Sequence, residues 1–384
     1  LKINTEKINA EESENNPILK AIKTDLKNGE FIRRILLDYN LLNKDYKLKK
    51  MDNKLYLPLN YEEIEDISEE DLKNTLKNVI LKSQNQNQSQ SQNKIEDVDF
   101  ELIITKEADF EKSNGKKNPS FKDYLLNNYG DELTNGKIAH AYDIIGDVVI
   151  LQISDEIDKQ ERLKLGEKAK ELIPSVRAVF RRESDVKGEY RVRDLEHLAG
   201  EGETLTLYKE NGYKLYVDVA KVYFSPRLSW ERNRIMQKVE KDDVIIDMFC
   251  GVGPYSIACK DAKKIYSIDV NPEAIKLLKE NIKFNNLENK IVPILEDVRK
   301  VDLKGNRIIM NLPKYANQFV DKALDLVEEG GTIHYYMVGA DVNEGINLFK
   351  SKCDCEVLES RVVKSYSPRE YVFVIDFKIN KTNK

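Results

Sequence analysis

The sequence predicts an α/β protein whose C-terminal part is a doubly wound parallel sheet closed by an antiparallel hairpin, preceded by a mixed α/β domain and a small N-terminal domain. Five apolar runs, 244–248, 265–270, 291–295, 307–311 and 332–338, alternate with helical stretches such as 272–284 and 317–328. That alternation is expected when each strand returns through a helix to lie parallel to its predecessor. Two further strand candidates, 355–364 and 369–379, are joined by a short Ser-Pro turn. A connection that short cannot make a parallel crossover, so this pair runs antiparallel.

The elements before the sheet are less regular. Residues 55–59 and 98–105 read as strands flanking a Ser/Gln/Asn stretch, 83–93, which is too poor in apolar residues to order itself and reads as a flexible insertion. The segment 112–120, with Gly115 and Pro119 among polar residues, marks a boundary. The domains expected are 1–113, 114–218 and 219–384. Ser120 begins a capped helix, and 159–172 carries apolar residues at helical spacing. Strands are expected at 144–153, 178–181, 205–209 and 213–218.

Length and composition fit two or three domains in 384 residues, with 41% hydrophobic and 34% charged residues. No apolar run approaches the roughly 18 residues of a membrane span, and no charged-then-apolar leader opens the chain, so a cytoplasmic location is expected. The four cysteines are too few and scattered for a disulfide framework, and the Cys353/Cys355 pair reads as a turn before a strand; no metal is expected. A net charge of −5 argues against bulk attraction to nucleic acid. It leaves room for a local basic face, and Arg177, Arg181, Arg182, Lys187, Arg191 and Arg193, interleaved with Phe180 and Tyr190, offer one. The same pattern also describes a solvated strand face.

The chemistry concentrates at strand ends. Val244 to Gly253 is an apolar strand ending in Asp247, then a turn with Phe249, Gly251 and Gly253 that lets backbone approach a ligand. Sixteen residues past Gly253, Asp269 ends the next apolar run beside Val270, spaced to accept both hydroxyls of a ribose. Asp247 would repel a pyrophosphate and attract an ammonium, which favours S-adenosylmethionine over a nicotinamide dinucleotide. Asp297-Val298 ends the third strand, where the acid can accept from an adenine amino group, and Asn311-Leu-Pro313-Lys ends the fourth. Upstream, Tyr223 to Arg232 holds a Pro226 turn and a helix start with Glu231, whose carboxylate suits either a helix N-terminus or a proton acceptor.

Taken together, four stretches resemble the archaeal and eukaryotic tRNA (guanine-37-N1)-methyltransferases, a class I methyltransferase family: Val222 to Arg232, Asp247 to Pro254, Asn311 to Lys314, and Gly188 to Gly200. The resemblance runs from about residue 119 onward; the N-terminal part is less distinct, and the glutamine-rich insertion and the bulky Trp230 depart from the family. It implies methyl transfer from S-adenosylmethionine to N1 of the guanine beside the tRNA anticodon, with Glu231 as general base, Arg191 steadying charge on O6, and Asn311 at the reacting edge. It implies a cofactor set of Tyr223, Arg227, Arg232, Asp247, Phe249, Gly251, Gly253, Asp269, Val270, Asp297, Val298, Asn311 and Pro313. It also implies that the N-terminal domain touches the outer corner of the tRNA and that the enzyme acts as a monomer. Three rivals share part of the pattern: guanine-N2 methylation, aminocarboxypropyl transfer in wybutosine synthesis, and a tRNA-binding module with a vestigial cofactor fold.

Overall fold

The computed structural model describes residues 18–38, 41–43, 45–60, 100–106, 109–111, 120–183, 194–367 and 369–382. The chain divides into two compact units, Leu1–Lys116 and Lys117–Lys384. The expected insertion 83–93 and most of the expected boundary segment lie outside the described residues.

The first unit is a four-stranded antiparallel sheet in the order β2-β3-β1-β4, built from β1 (Ile18–Asp25), β2 (Lys49–Met51), β3 (Lys54–Pro58) and β4 (Phe100–Lys106). Its central strand β1 pairs with both β3 and β4, and the helix Leu26–Asp38 buries Ile32 and Leu36.

Among its described residues the second unit contains three sheets. A four-stranded sheet orders β5 (Asp143–Ile145), β6 (Val148–Leu151), β7 (Ala178–Arg182) and β8 (Leu195–Gly200) consecutively. The helix Lys159–Leu172 makes the crossover that lets β6 and β7 run parallel. Ser120 caps the helix Phe121–Asn128 as its sequence implies: its Oγ accepts from the Asp123 N–H, and the Asp123 carboxylate accepts from the Ser120 N–H. The run 144–153, expected as one strand, is a hairpin turning at Gly146, where a side chain would strike Thr206 Oγ1 at 2.1 Å. The apolar pairs Ile144-Ile145 and Val148-Val149 on either side of Gly146-Asp147 made the two short strands read as one run. β9 (Leu205–Glu210) and β10 (Tyr213–Asp218) form a separate hairpin.

The third sheet has seven strands in the order β13-β12-β11-β14-β15-β17-β16. β11 (Val244–Asp247), β12 (Lys264–Asp269), β13 (Ile291–Leu295), β14 (Gly305–Met310) and β15 (Val327–Gly339) are parallel; β16 (Cys353–Ser367) and β17 (Glu370–Thr382) close it antiparallel. The helix expected over 317–328 is a 3-10 turn, Ala316–Phe319, followed by Val320–Leu326, because β15 already begins at Val327. The helix Asn343–Lys350 escaped sequence reading. Its Gly345 looks like a helix breaker, yet a Cβ there would meet Met337 Sδ at 2.4 Å, so the glycine serves close packing. Cys353 and Cys355 lie within β16, not in a turn before it.

Apolar side chains from the β5–β8 sheet, the β9–β10 hairpin and the seven-stranded sheet merge into one core that includes Val148, Phe180, Leu215, Ile245, Ile257 and Leu278. The basic segment is accordingly less available than its sequence suggests. Arg181 is buried, held by the Ile153 carbonyl and by Asp155 and Glu196; Arg177 pairs with Asp147, Glu201 and Glu203; Phe180 is core. Lys187, Tyr190, Arg191 and Arg193 lie outside the described residues.

Candidate active site

Because β11 to β14 run parallel, their C-terminal ends meet on one edge of the sheet, where such sheets bind ligands. A cavity of about 1040 Å³, including its open mouth, occupies that edge. Tyr223, Arg232, Phe249, Gly251, Asp269, Val270, Asp297, Val298 and Asn311 all line it. Asp247, Gly253, Arg227, Pro313 and Glu231 do not, and Arg191 is outside the described residues.

The glycine turn shows why two glycines there differ. Gly251 has φ +54°, and a Cβ on it would meet only the Tyr223 carbonyl at 3.8 Å, so the space beside it is open to a ligand. Gly253, expected as a second point of close approach, has φ +85°, and a Cβ would strike Leu278 Cδ1 at 2.3 Å. It serves the turn and the packing of the helix Pro272–Phe284.

Asp269 is held by the N–H groups of Gly251 (2.7 Å) and Asn271 (2.9 Å), one on each carboxylate oxygen. Each oxygen keeps a lone pair for a hydroxyl, which suits a ribose diol. Burial raises its pKa despite these bonds. Asp297 caps a short 3-10 turn through the Arg299 N–H and is paired with the Arg299 guanidinium at 2.5 Å, which holds it below the usual carboxylate range. Phe249 packs edge-on against Phe319, which closes the cavity from the loop after β14. No sequence signal singled out Phe319, since only the fold brings it opposite the glycine turn. Asn271 could have been found, as an N-cap two residues after Asp269; it also donates to the Lys221 carbonyl at 3.0 Å, tying the Tyr223 segment to the sheet edge.

Asp247 lies behind the wall. Its Oδ2 accepts from Ser256 Oγ at 2.8 Å, while Oδ1 is buried with no hydrogen-bond partner. Burial, opposed chiefly by the Ser256 bond, pushes its carboxyl up to about 7. An orphaned buried acceptor beneath the glycine turn fits a cationic ligand above it through its field rather than by direct contact.

Two arginines expected to bind cofactor have other work. Arg227 is half-exposed and pairs with Asp143 at 2.8 Å, away from the cavity. Arg232 reaches the wall, but its guanidinium is spent on Glu210 (2.5 and 2.6 Å) and the Ser225 carbonyl, stacked over Phe224. It fixes the loop that carries Tyr223. Pro313 stiffens the loop after Asn311, and its carbonyl accepts from the Val338 N–H.

Glu231 is in the first turn of the helix Ser229–Lys238, only 1% exposed, and bonded to Arg234, Arg361 and the Tyr336 hydroxyl. Burial raises its pKa, and the two arginines more than reverse this, leaving it below the usual range. Arg234 is anchored in turn by Asp376 at 2.5 Å, and Asp376 faces His334 Nδ1 at 2.6 Å. Since Arg307 can only donate to His334 Nε2 (2.9 Å), the histidine proton sits on Nδ1 and points at Asp376. A neutral His334 agrees with its pKa, lowered mainly by burial. Among the described residues no group of His, Cys, Asp and Glu is arranged to hold a metal.

A parallel sheet with a hairpin closure, a glycine turn after its first strand and a ribose-matching acid after the second define an S-adenosylmethionine-dependent class I methyltransferase. Residues 206–359 match the TRM5/TYW2 methyltransferase domain, 121–204 the TYW2 N-terminal domain and 21–68 the tRNA methyltransferase 5 N-terminal domain. The tRNA (guanine(37)-N(1))-methyltransferase Trm5b of Methanocaldococcus jannaschii is 56% identical over 94% of this chain and 98% of its own length. Two solved structures match over 95% of this chain and 100% of their own: the complex of aTrm5 and tRNALeu, 56% identical with a TM-score of 0.68, and Methanocaldococcus jannaschii Trm5 in complex with adenosine, 54% identical with a TM-score of 0.66. The chain belongs to the Trm5-type family of tRNA methyltransferases.

Proposed function

We propose that this enzyme methylates N1 of guanine 37 in tRNA, using S-adenosylmethionine. The observation that carries the reading is a single cavity joining the glycine turn and Asp269 to Asn311, in a chain of this family. When bound, the cofactor supplies an electrophilic methyl group on a sulfonium. Asp269 would hold the ribose, Val270, Val298 and Phe249 the adenine and its surroundings, and buried Asp247 the positive charge.

N1 of guanine carries a proton and is a poor nucleophile until that proton leaves. We assign its removal to Glu231, adjacent in sequence to the wall residue Arg232 and three residues from the wall residue Leu228, and ionised at neutral pH because its pKa is lowered. Asn311 offers a donor and an acceptor to the guanine edge. Arg191 is assigned to the charge that grows on O6, where a preplaced donor is most effective. The base must leave its stack to present N1, which an anticodon loop makes inexpensive.

We divide the chain at 113/114 and 218/219, assign the first domain to the outer corner of the tRNA, and place a monomeric enzyme in the cytoplasm. The test is methyl transfer to a tRNA transcript with guanine at position 37 and to the same transcript with adenine there. A product one methyl group heavier, only on the guanine transcript, supports the reading; transfer of the aminocarboxypropyl arm, or methylation on N2, overturns it.

A further inference from the structure

The two oxygens of Glu231 are not equivalent. Oε1 accepts from Arg234 Nε (2.9 Å) and Nη2 (2.6 Å) and from the Tyr336 hydroxyl (2.6 Å). Oε2 accepts only from Arg361 Nη2 among the described residues. Three donors exhaust the lone pairs of Oε1, so any proton the carboxylate takes up must go to Oε2. That oxygen is the one Arg361 covers.

The donors also differ in how firmly they are held. Tyr336 is fully buried in β15. Arg234 is clamped by Asp376 and Glu359, with Lys238 completing the same cluster. Arg361 stands on β16, the edge strand of the sheet, between register irregularities at Val357/Glu359 and Val362/Lys364. Its side chain keeps 15% exposure, and among the described residues its Nε has no hydrogen bond and its only other ion pair is a loose one with Glu359 at 3.5 Å. Tyr255, from the helix Pro254–Ala258, also faces Glu231, while Arg232 beside it in sequence turns away to Glu210.

We propose that Arg361 is a positioning residue that caps Oε2 of Glu231 in the free protein and moves off it when the RNA binds, drawn to a backbone phosphate that offers the guanidinium an anionic partner. This rests on the assignment of Glu231 as the base. With the cap displaced, the N1–H proton goes to Oε2, the electron pair left on N1 forms the bond to the methyl carbon, and the carbon–sulfur pair returns to sulfur. Capping also keeps the buried Oε2 from standing without a donor before substrate arrives, which would cost the desolvation of an unsatisfied acceptor.

The test uses the full chain and a tRNA transcript with guanine 37. The acid limb of kcat/KM reports ionisation in the free enzyme, and that of the saturated single-turnover rate reports the complex. Arg361→Gln is expected to move the kcat/KM limb to higher pH while leaving the saturated limb in place, and Arg361→Lys to restore part of the shift. Movement of both limbs together, or of neither, overturns the proposal. Should Arg361→Gln fail to fold, Arg361→Lys keeps the charge but loses the planar fork, and a smaller shift confined to the kcat/KM limb is expected of it. Glu231→Gln separates the two readings: full turnover in that variant removes the base assignment itself, whereas lost turnover with unmoved limbs in the Arg361 variants removes only the cap.

Discussion

Asp247→Asn tests whether the acid beneath the glycine turn is stored in a destabilised state that a cationic ligand relieves. Burial raises the carboxyl from 3.8 to about 7. The folded protein therefore holds this proton more tightly than the unfolded chain does, and stability falls as pH rises from about 4 through about 7. At about 1.4 kcal/mol per unit, the full penalty above that window is about 4 kcal/mol, of which about 2.5 kcal/mol develops between about pH 5 and about pH 8. The asparagine cannot ionise, so that slope should vanish. Its amide adds unpaired donors at the position of Oδ1, a loss of about 1–3 kcal/mol, but this term is the same at both pH values and cancels in the comparison. Trp230, the chain's single tryptophan, lies in the unit Lys117–Lys384, so its fluorescence during urea unfolding reports on the unit that contains the site. The expected result is a wild-type protein that loses about 2.5 kcal/mol more than Asp247→Asn across that interval. Parallel pH dependence in the two proteins would refute the buried-charge account. The same variant should bind S-adenosylmethionine more weakly at pH 8, with the difference shrinking as the wild-type acid protonates below about 7.

Two further expectations follow from the site. Gly253→Ala should lose about 2–4 kcal/mol of stability, combining a left-handed backbone with a clash on Leu278, whereas Gly251→Ala should lose about 1 kcal/mol yet suffer the larger fall in cofactor affinity. Urea titration and calorimetry of the pair check this, and equal effects on both properties would remove the distinction between the two glycines. Glu231→Gln should lower turnover by about 10²–10⁴-fold with cofactor affinity within about twofold of wild type, measured by single-turnover methylation and calorimetry.

Local sequence was informative wherever a residue's job depends on its neighbours in the chain. Ser120 with Asp123 specifies a capping box within four residues, and the helices 159–172 and 272–284 match their apolar periodicity. The strands β11 to β14 were legible because each is a short, largely apolar run that ends in, or is directly followed by, an acid or amide. The hairpin turn at Gly146 and the helix around Gly345 went unread for a common reason: each glycine is required by an atom on another element of the fold, on Thr206 in one case and Met337 in the other. Whether Arg177 and Arg181 faced nucleic acid or solvent stayed open in the sequence, which shows charge but not the carboxylates that the fold places against it.

The sequence by itself determined the run of parallel strands in the third sheet and the hairpin that closes it, the glycine turn and the acids that end β11 and β12, since these rest on backbone preference and burial within a few residues. Tertiary structure decided which of those groups meet a ligand. It put Asp269 and Asn311 on one cavity wall, sank Asp247 behind it, turned Arg227 and Arg232 toward Asp143 and Glu210, and enclosed Glu231 with donors from β15 and β16. The reason is that a charge in a folded protein is defined by its partners and its access to water, and for each of these side chains the deciding partner stands on a different element.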